Sequence, residues 1–478
     1  MFMKFNFTNN NINEINDEAI ILGVFKDDIS SKQDLIENVD LSSILNLGDF
    51  TGKKKQLMLL YNVKGMESKR LLLVGLGKKE KFKSSIARSV SAIAAKNLRS
   101  KGLSSFSILQ MGEFSRETAE GVILGLYTFD ELKEKSTDNN VIKNVTFIGD
   151  GDFNTGIVIS EAQVIARRLT ELPANIATPT YVSEEIQKIF KSMDNTDIEI
   201  HEEKWALDRK MNSFLSVAAG SDQPAKFAEI KYYGTDKSEK PIILAGKGIT
   251  FDTGGISLKG GAGMGLMRGD MGGAAAVIGI LYAVSKLKLN INVIGLTPLT
   301  ENMPSGKATK PSDVVFASNG KSIEIDNTDA EGRLILADAL VYADEFTPHT
   351  VIDIATLTGA MGVALGQHYT GSFVRSDELW QELEHAGIQS DEKLWRMPLD
   401  KKYKKQLKST LADLKNVGGR PAGSVTAAMF LSEFTETKRW AHLDIAGTAW
   451  VTSAGDITIK GMTGVPVRAL TQFIINSC

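Results

Sequence analysis

Ile242–Asp270 reads IILAGKGITFDTGGISLKGGAGMGLMRGD. Its first four residues form an apolar run of strand length, closed by glycine. The charged residues that follow, Lys247, Asp252, Lys259 and Asp270, then fall on loops after a buried strand. In open α/β sheets, ligands gather at the carboxyl ends of strands. Twelve of the 43 glycines lie between Gly246 and Gly279, so the backbone there must turn tightly or approach something closely. The segment lacks the GxxxxGK[ST] spacing of a phosphate loop, and its acidic residues would repel phosphate unless a metal intervened.

Working outward, strand-like and helix-like stretches alternate along the chain. Leu71–Leu76 (LLLVGL) is a strand candidate. Ser84–Leu98 has helical spacing at Ile86, Val90, Ile93 and Ala94. Phe106–Leu109 and Val145–Ile148 read as strands, with a helix over Glu117–Phe129 between them. After the turn at Asp150-Gly151-Asp152, Ile157–Leu169 reads as a helix, and strands return at Phe227–Tyr232, Ile242–Ala245, Ile291–Leu296 and Val351–Ile354. This βαβ alternation predicts sheets covered by helices. The expected fold is α/β in two domains: a smaller N-terminal α/β domain over residues 1–150, a linker helix region over 151–175, and a larger catalytic α/β domain with a mixed central sheet over 176–478.

A second segment, Ile325–Leu340, reads IDNTDAEGRLILADAL, with a helix expected to start near Glu331. Asp329 and Glu331 could simply cap that helix. However, Arg333 follows in the same turn and a second acidic loop lies upstream. The five histidines form no HExxH pattern, so any metal ligands must be mainly oxygens. No GxSxG elbow is present, and the single cysteine, Cys478, is a poor nucleophile candidate.

The net charge of -3 gives no global pull toward nucleic acid. The basic cluster Lys401, Lys402, Lys404, Lys405 and Lys408 reads as a solvated helix face. One cysteine permits no internal disulfide and points to a reducing, cytoplasmic compartment. The asparagine-rich start, Met1–Asn11, shows no apolar signal core. Two uncharged runs, Met271–Ser285 and Ile354–Val374, read as buried soluble segments, so no membrane association is expected.

NTDAEGR at Asn327–Arg333 and GKGITFDTGGISLK at Gly246–Lys259 resemble the two hallmark motifs of the leucyl aminopeptidase (cytosol aminopeptidase) family. The resemblance extends over about residues 160–470. It includes ATLTGA at Ala355–Ala360 and HLDIAGTAW at His442–Trp450, while the first 150 residues match loosely. Arg268 departs from the pattern, where lysine is commoner. The resemblance implies a cytosolic metallo-aminopeptidase that releases N-terminal residues, leucine-like ones favoured, from peptide substrates with two divalent metal ions per subunit. Zinc or manganese would be expected, with magnesium or cobalt as alternatives. Asp252, Asp329 and Glu331 would hold one metal, and Lys247, Asp252, Asp270 and Glu331 the other. Lys259 would stabilise the developing tetrahedral oxygen, and Arg333 would bind a bicarbonate. Leu357 and Gly359 would offer backbone groups to substrate, while Met267 and Thr356 would line the pocket for its first side chain. A homohexamer is also implied. A nucleic-acid-binding role for the N-terminal domain is the competing reading, unsupported by charge.

Overall fold

The computed structural model describes residues 3–27, 48–134 and 141–478. Met1 and Phe2 of the asparagine-rich start lie outside them. The chain divides into two compact units: Met1–Glu161 with Ser453–Ile459, and Ala162–Thr452 with Lys460–Cys478. The division falls within a single helix, Phe153–Glu171.

The first unit is built on six strands: β1 (Lys4–Thr8), β2 (Ile20–Phe25), β3 (Leu57–Tyr61), β4 (Arg70–Gly77), β5 (Ser105–Leu109) and β6 (Asn144–Ile148), in the order β1-β6-β5-β2-β4-β3. All neighbours are parallel except the edge pair β3–β4. Helix Ser84–Ser100 buries Val90 and Ala94 of the stripe its spacing predicts, but Ile86 and Ile93 are only half-buried, and Ala87, Ala95 and Leu98 lie on the buried face instead. The helix expected over Glu117–Phe129 runs Ser115–Leu126, since Tyr127 already has extended backbone.

The second unit carries a nine-stranded mixed sheet. Its strands are β7 (Thr196–Glu202), β8 (Lys226–Tyr233), β9 (Ile242–Gly246), β10 (Gly248–Asp252), β11 (Asn292–Asn302), β14 (Thr350–Ala355), β15 (Thr370–Val374), β16 (Leu394–Arg396) and β18 (Trp440–Asp444). Short strands β12 (Val314–Phe316), β13 (Ser322–Glu324) and β17 (Leu414–Lys415) form a separate three-stranded sheet, and β19 (Trp450–Val451) pairs with β20 (Gly461–Met462). In the large sheet, β18, β14, β9 and β11 are successive parallel neighbours, with antiparallel strands on both flanks. Their carboxyl ends therefore open on one side, where Lys247, the Thr356–Gly359 loop and Asp444 emerge.

The first uncharged run is internal, as expected, but the second is buried mainly at its two ends: Gly359, Ala360, Ala364, Gly366, Gln367 and His368 are exposed, and Val363 is 90% exposed. Helix Gly272–Leu287 buries nearly every residue, and the apolar stretch Met264–Leu287 that contains it is long enough to cross a membrane but is mostly covered by the protein. Ile354–Val374 is not one helix: it comprises the end of β14, a loop, the short helix Gly359–Leu365 and β15.

Candidate metal centre

Asp252 ends β10, and the chain then turns through Gly254 (φ 88°) and Gly255 (φ 64°), a left-handed conformation that glycine adopts without a Cβ penalty. The turn is stitched to the NTDAEGR segment, because Thr328 Oγ1 donates to Gly254 O at 2.7 Å and accepts from Ser257 N at 2.8 Å. Asn302 Nδ2 donates to both Asp252 Oδ1 (2.8 Å) and Thr328 O (3.1 Å). The two motifs that stand 75 residues apart in sequence thus form one wall.

On that wall the side chains converge. Lys247 Nζ lies 2.8 Å from Asp270 Oδ2 and 2.8 Å from Glu331 Oε1, and it donates to Thr356 O at 2.8 Å. Lys259 Nζ lies 2.7 Å from Asp252 Oδ2 and also pairs with Asp329. Carboxylate oxygens of Asp252, Asp329 and Glu331 lie within 4.8 Å of one another. Glu331 stands at the start of helix Gly332–Asp344 but makes no side-chain cap there; its carboxylate turns to Lys247 instead. Glycine follows it, and a Cβ at Gly332 would lie 2.6–2.7 Å from the end of the Lys247 side chain and push it aside.

The electrostatics follow from burial. Desolvation pushes the carboxyl of Asp270 well above the ordinary range, and Asp252 and Glu331 add to it against the pull of Lys247. Glu331 and Asp329 are raised for the same first reason. Burial opposes the charge on Lys247 and Lys259, but the surrounding carboxylates outweigh it and hold both ammonium groups above the usual lysine range. Four carboxylates face two ammonium groups, so negative charge is in excess. Glu331 Oε2 is buried without a hydrogen-bond partner. A crowded oxygen donor set with an orphaned oxygen is chemically suited to hard or borderline divalent cations.

These residues line a cleft of about 350 Å³ that also includes Met267, Thr356, Leu357 and Gly359. Every site residue expected from the sequence is there except Arg333. Arg333 is buried beside the cleft, its Nη1 donating to Asn416 O at 2.5 Å and its Nε without a partner; burial pulls its pKa down to about 10. Leu266, Thr358, Ala446, Ala449, Trp450 and Met462 also line it. Sequence reasoning assigned none of these, although all but Leu266 and Met462 lie in the quoted ATLTGA and HLDIAGTAW segments. A larger cleft of about 1090 Å³, lined by Lys321, Arg375, Lys401 and Lys404 among others, has no such carboxylate cluster, and Lys321 and Lys404 share the single carboxylate of Glu433. A second acid–histidine group, Glu199, His201 and Glu229, has Lys231 ion-paired to both glutamates and reads as structural.

An oxygen-rich donor set at the carboxyl ends of a mixed sheet is that of a candidate metal-dependent enzyme. Residues 164–471 match the catalytic domain of the cytosol aminopeptidase family, and residues 21–136 match that family's N-terminal domain. The chain belongs to this family. It is 44% identical to a probable cytosol aminopeptidase of Paraburkholderia xenovorans (96% of this chain, 94% of the relative) and 43% identical to the cytosol aminopeptidase of Sus scrofa (96% and 92%). Among solved structures it is similar to a bottromycin maturation enzyme, BotP, in complex with Mn, with TM-score 0.86, 30% identity and coverage of 96% and 99%. Membership supports aminopeptidase activity with divalent metal cofactors.

Proposed function

We propose that this protein is a cytoplasmic leucyl-type aminopeptidase that hydrolyses the first peptide bond of unblocked peptides with two divalent cations. The observation that carries the reading is the convergence of Lys247, Asp252, Asp270, Asp329 and Glu331 in one cleft beside Lys259. Asp252, Asp329 and Glu331 would hold one cation, and Lys247, Asp252, Asp270 and Glu331 the other. Cations there would lower the pKa of a bound water and polarise the substrate carbonyl. Zinc or manganese, magnesium or cobalt all suit the donors in different degrees.

The chain's own residues do the rest. Lys259, kept cationic by Asp252 and Glu331, supplies positive charge where the tetrahedral oxygen develops. Arg333, with its Nε unpartnered, is suited to holding a bicarbonate that takes up the water's proton. Leu357 and Gly359 present backbone groups to substrate. Met267 and Thr356 flank the first side chain, and Thr356 is held by its hydroxyl donating to Asp270 Oδ1 at 2.7 Å. A homohexamer is proposed from the resemblance alone.

The test compares a leucine amide with its N-acetyl form on metal-replete protein, alongside metal stoichiometry. Rapid turnover of the free amine and none of the acetylated form is expected, with two metals per subunit. Comparable kcat/KM for both substrates would overturn the exopeptidase reading. Asp270→Ala should retain one metal and Glu331→Ala should disturb both; equal retention of two metals in each would overturn the ligand assignment.

A further inference from the structure

Asp444, the last residue of β18, is fully buried and has no contact ion pair among the described residues, although Arg333 and His442 feel its charge. Its charge is met by hydrogen bonds from its own chain. Oδ1 accepts from Leu357 N (3.1 Å), Thr358 N (3.4 Å) and Ala446 N (3.1 Å), and Oδ2 accepts from the Thr358 hydroxyl at 2.6 Å. Asp444 is not among the residues that line the cleft, whereas Asp252 and Asp270 are, so it is a different kind of aspartate.

The consequence lies in the peptide planes. In a trans peptide, the N–H and C=O point in opposite directions. The Leu357 N–H points to Asp444, so the carbonyl of Thr356 points the other way, and there it accepts from Lys247 Nζ at 2.8 Å. The Thr358 N–H also points to Asp444, so the carbonyl of Leu357 is turned away from it, on the side where Leu357 lines the cleft. Thr358 further caps helix Gly359–Leu365 by accepting from Met361 N, which fixes where the loop ends.

We propose that Asp444 is a positioning residue: its buried carboxylate holds the Leu357 and Thr358 amides so that the Leu357 carbonyl faces the cleft as an acceptor for a substrate N–H group. The role rests on the aminopeptidase reading for its substrate half, and on geometry alone for its hold on the loop. A carboxylate suits the task because it accepts from several N–H groups at once, and such charge-assisted bonds are stronger than neutral ones. The same peptide plane leaves Thr356 O free to accept from Lys247 Nζ, a bond that Lys247's two carboxylate partners hold in place independently of Asp444.

The test uses full-length protein and three variants. Asp444→Asn keeps an acceptor oxygen for the amides, and its NH2 can donate to the Thr358 hydroxyl. Asp444→Ala removes both. In Asp444→Ala, amide exchange of the 356–360 segment should accelerate, and kcat/KM should fall about 100-fold, mostly in kcat, with metal content unchanged. Asp444→Asn should keep the protection and stay within about fivefold of wild type. If Asp444→Ala does not fold, Thr358→Val, which removes only the Oδ2 partner and the cap, should show faster exchange and about a tenfold loss. Wild-type exchange and activity in Asp444→Ala, or in Thr358→Val when the former does not fold, would overturn the proposal. So would loss of activity together with bound metal in both Asp444 variants, which would make the residue part of the metal centre. An inactive wild-type holoenzyme with protected amides would instead overturn the aminopeptidase reading.

Discussion

At the scale of single residues, Lys259 tests the chemistry most directly. It bridges Asp252 and Asp329 at the mouth of the carboxylate cluster and is partly exposed to the cleft. An interaction made mainly in the transition state acts on kcat. Lys259→Ala should therefore lower kcat about 100- to 1,000-fold with a smaller change in KM. Normal kcat with weakened binding would reassign Lys259 to ground-state recognition. Gly332 gives a second residue-scale expectation. A Cβ there would press on Lys247 Cδ, Cε and Nζ, so Gly332→Ala should displace the lysine and lower affinity for one metal of the pair. Titration showing two undisturbed sites would contradict this. Residues of this kind differ in how legible they are. Lys247, Asp252, Asp329 and Glu331 stand in two recognisable motifs, with Asp270 beyond the first, and the resemblance implies that they cluster. Asp444 also stands in a quoted segment, but an aspartate at a strand end looks the same in sequence whether it binds metal or backbone. Only the four internal donors around it distinguish the two.

At the scale of elements, helix Gly332–Asp344 organises the back of the site. Its apolar face was plain from the LILADAL run, but Asp338 in the middle of that run was not explained by it. In the structure Asp338 Oδ2 accepts from Phe214 N at 2.9 Å and Oδ1 from Ser318 N at 2.7 Å, tying two neighbouring segments to the helix. Those partners are 124 and 20 residues away, which no local pattern reveals. Burial raises the Asp338 carboxyl to about 6 from 3.8, although the amide donors pull the other way. The folded state therefore holds this proton between about pH 4 and 6 while the unfolded chain has released it. Stability from this group is present at low pH and is lost as pH rises through that window, by about 3 kcal/mol for roughly two pH units. Unfolding of wild type and Asp338→Asn, compared from pH 4 to 7, should show a steeper downward slope in wild type, the difference being the Asp338 share beyond what Asp270, Asp329 and Glu331 give both proteins. Asp338→Asn should also be less stable by about 1–3 kcal/mol where its NH2 meets a backbone donor. Parallel pH profiles would remove Asp338 as the titrating group. Strand direction was likewise illegible: an apolar run such as Ile291–Leu296 reads the same whether its neighbour is parallel, as β9 is, or antiparallel, as β8 is.

At the scale of the whole molecule, the charge balance of the centre couples folding to metal. Four carboxylates and two lysines are brought together by the ends of β9 and β10, the stretch that runs on through Lys259 to Asp270, and the approach to helix Gly332–Asp344. Without cations, burial drives the carboxyls of Asp270, Asp329 and Glu331 toward protonation, and the fold carries that cost. The unfolded chain carries none of it, because its carboxylates are separate and hydrated. A ligand that binds only the folded state stabilises it by RT ln(1 + [L]/Kd), about 2.7 kcal/mol at 100 times Kd for each site. Chelation should thus lower the melting midpoint of the catalytic unit, and readdition of zinc or manganese should restore it in a concentration-dependent way, independent of any substrate. The same experiment on Glu331→Ala should show a smaller metal-dependent shift, because a ligand assigned to both cations is gone, together with a smaller penalty on chelation, because one buried acid has been removed. A midpoint unchanged by chelation of protein shown to have held metal would mean that the carboxylate cluster does not store the electrostatic cost assigned to it. The ion pairs of Lys247 and Lys259 would then be sufficient to hold the site together by themselves.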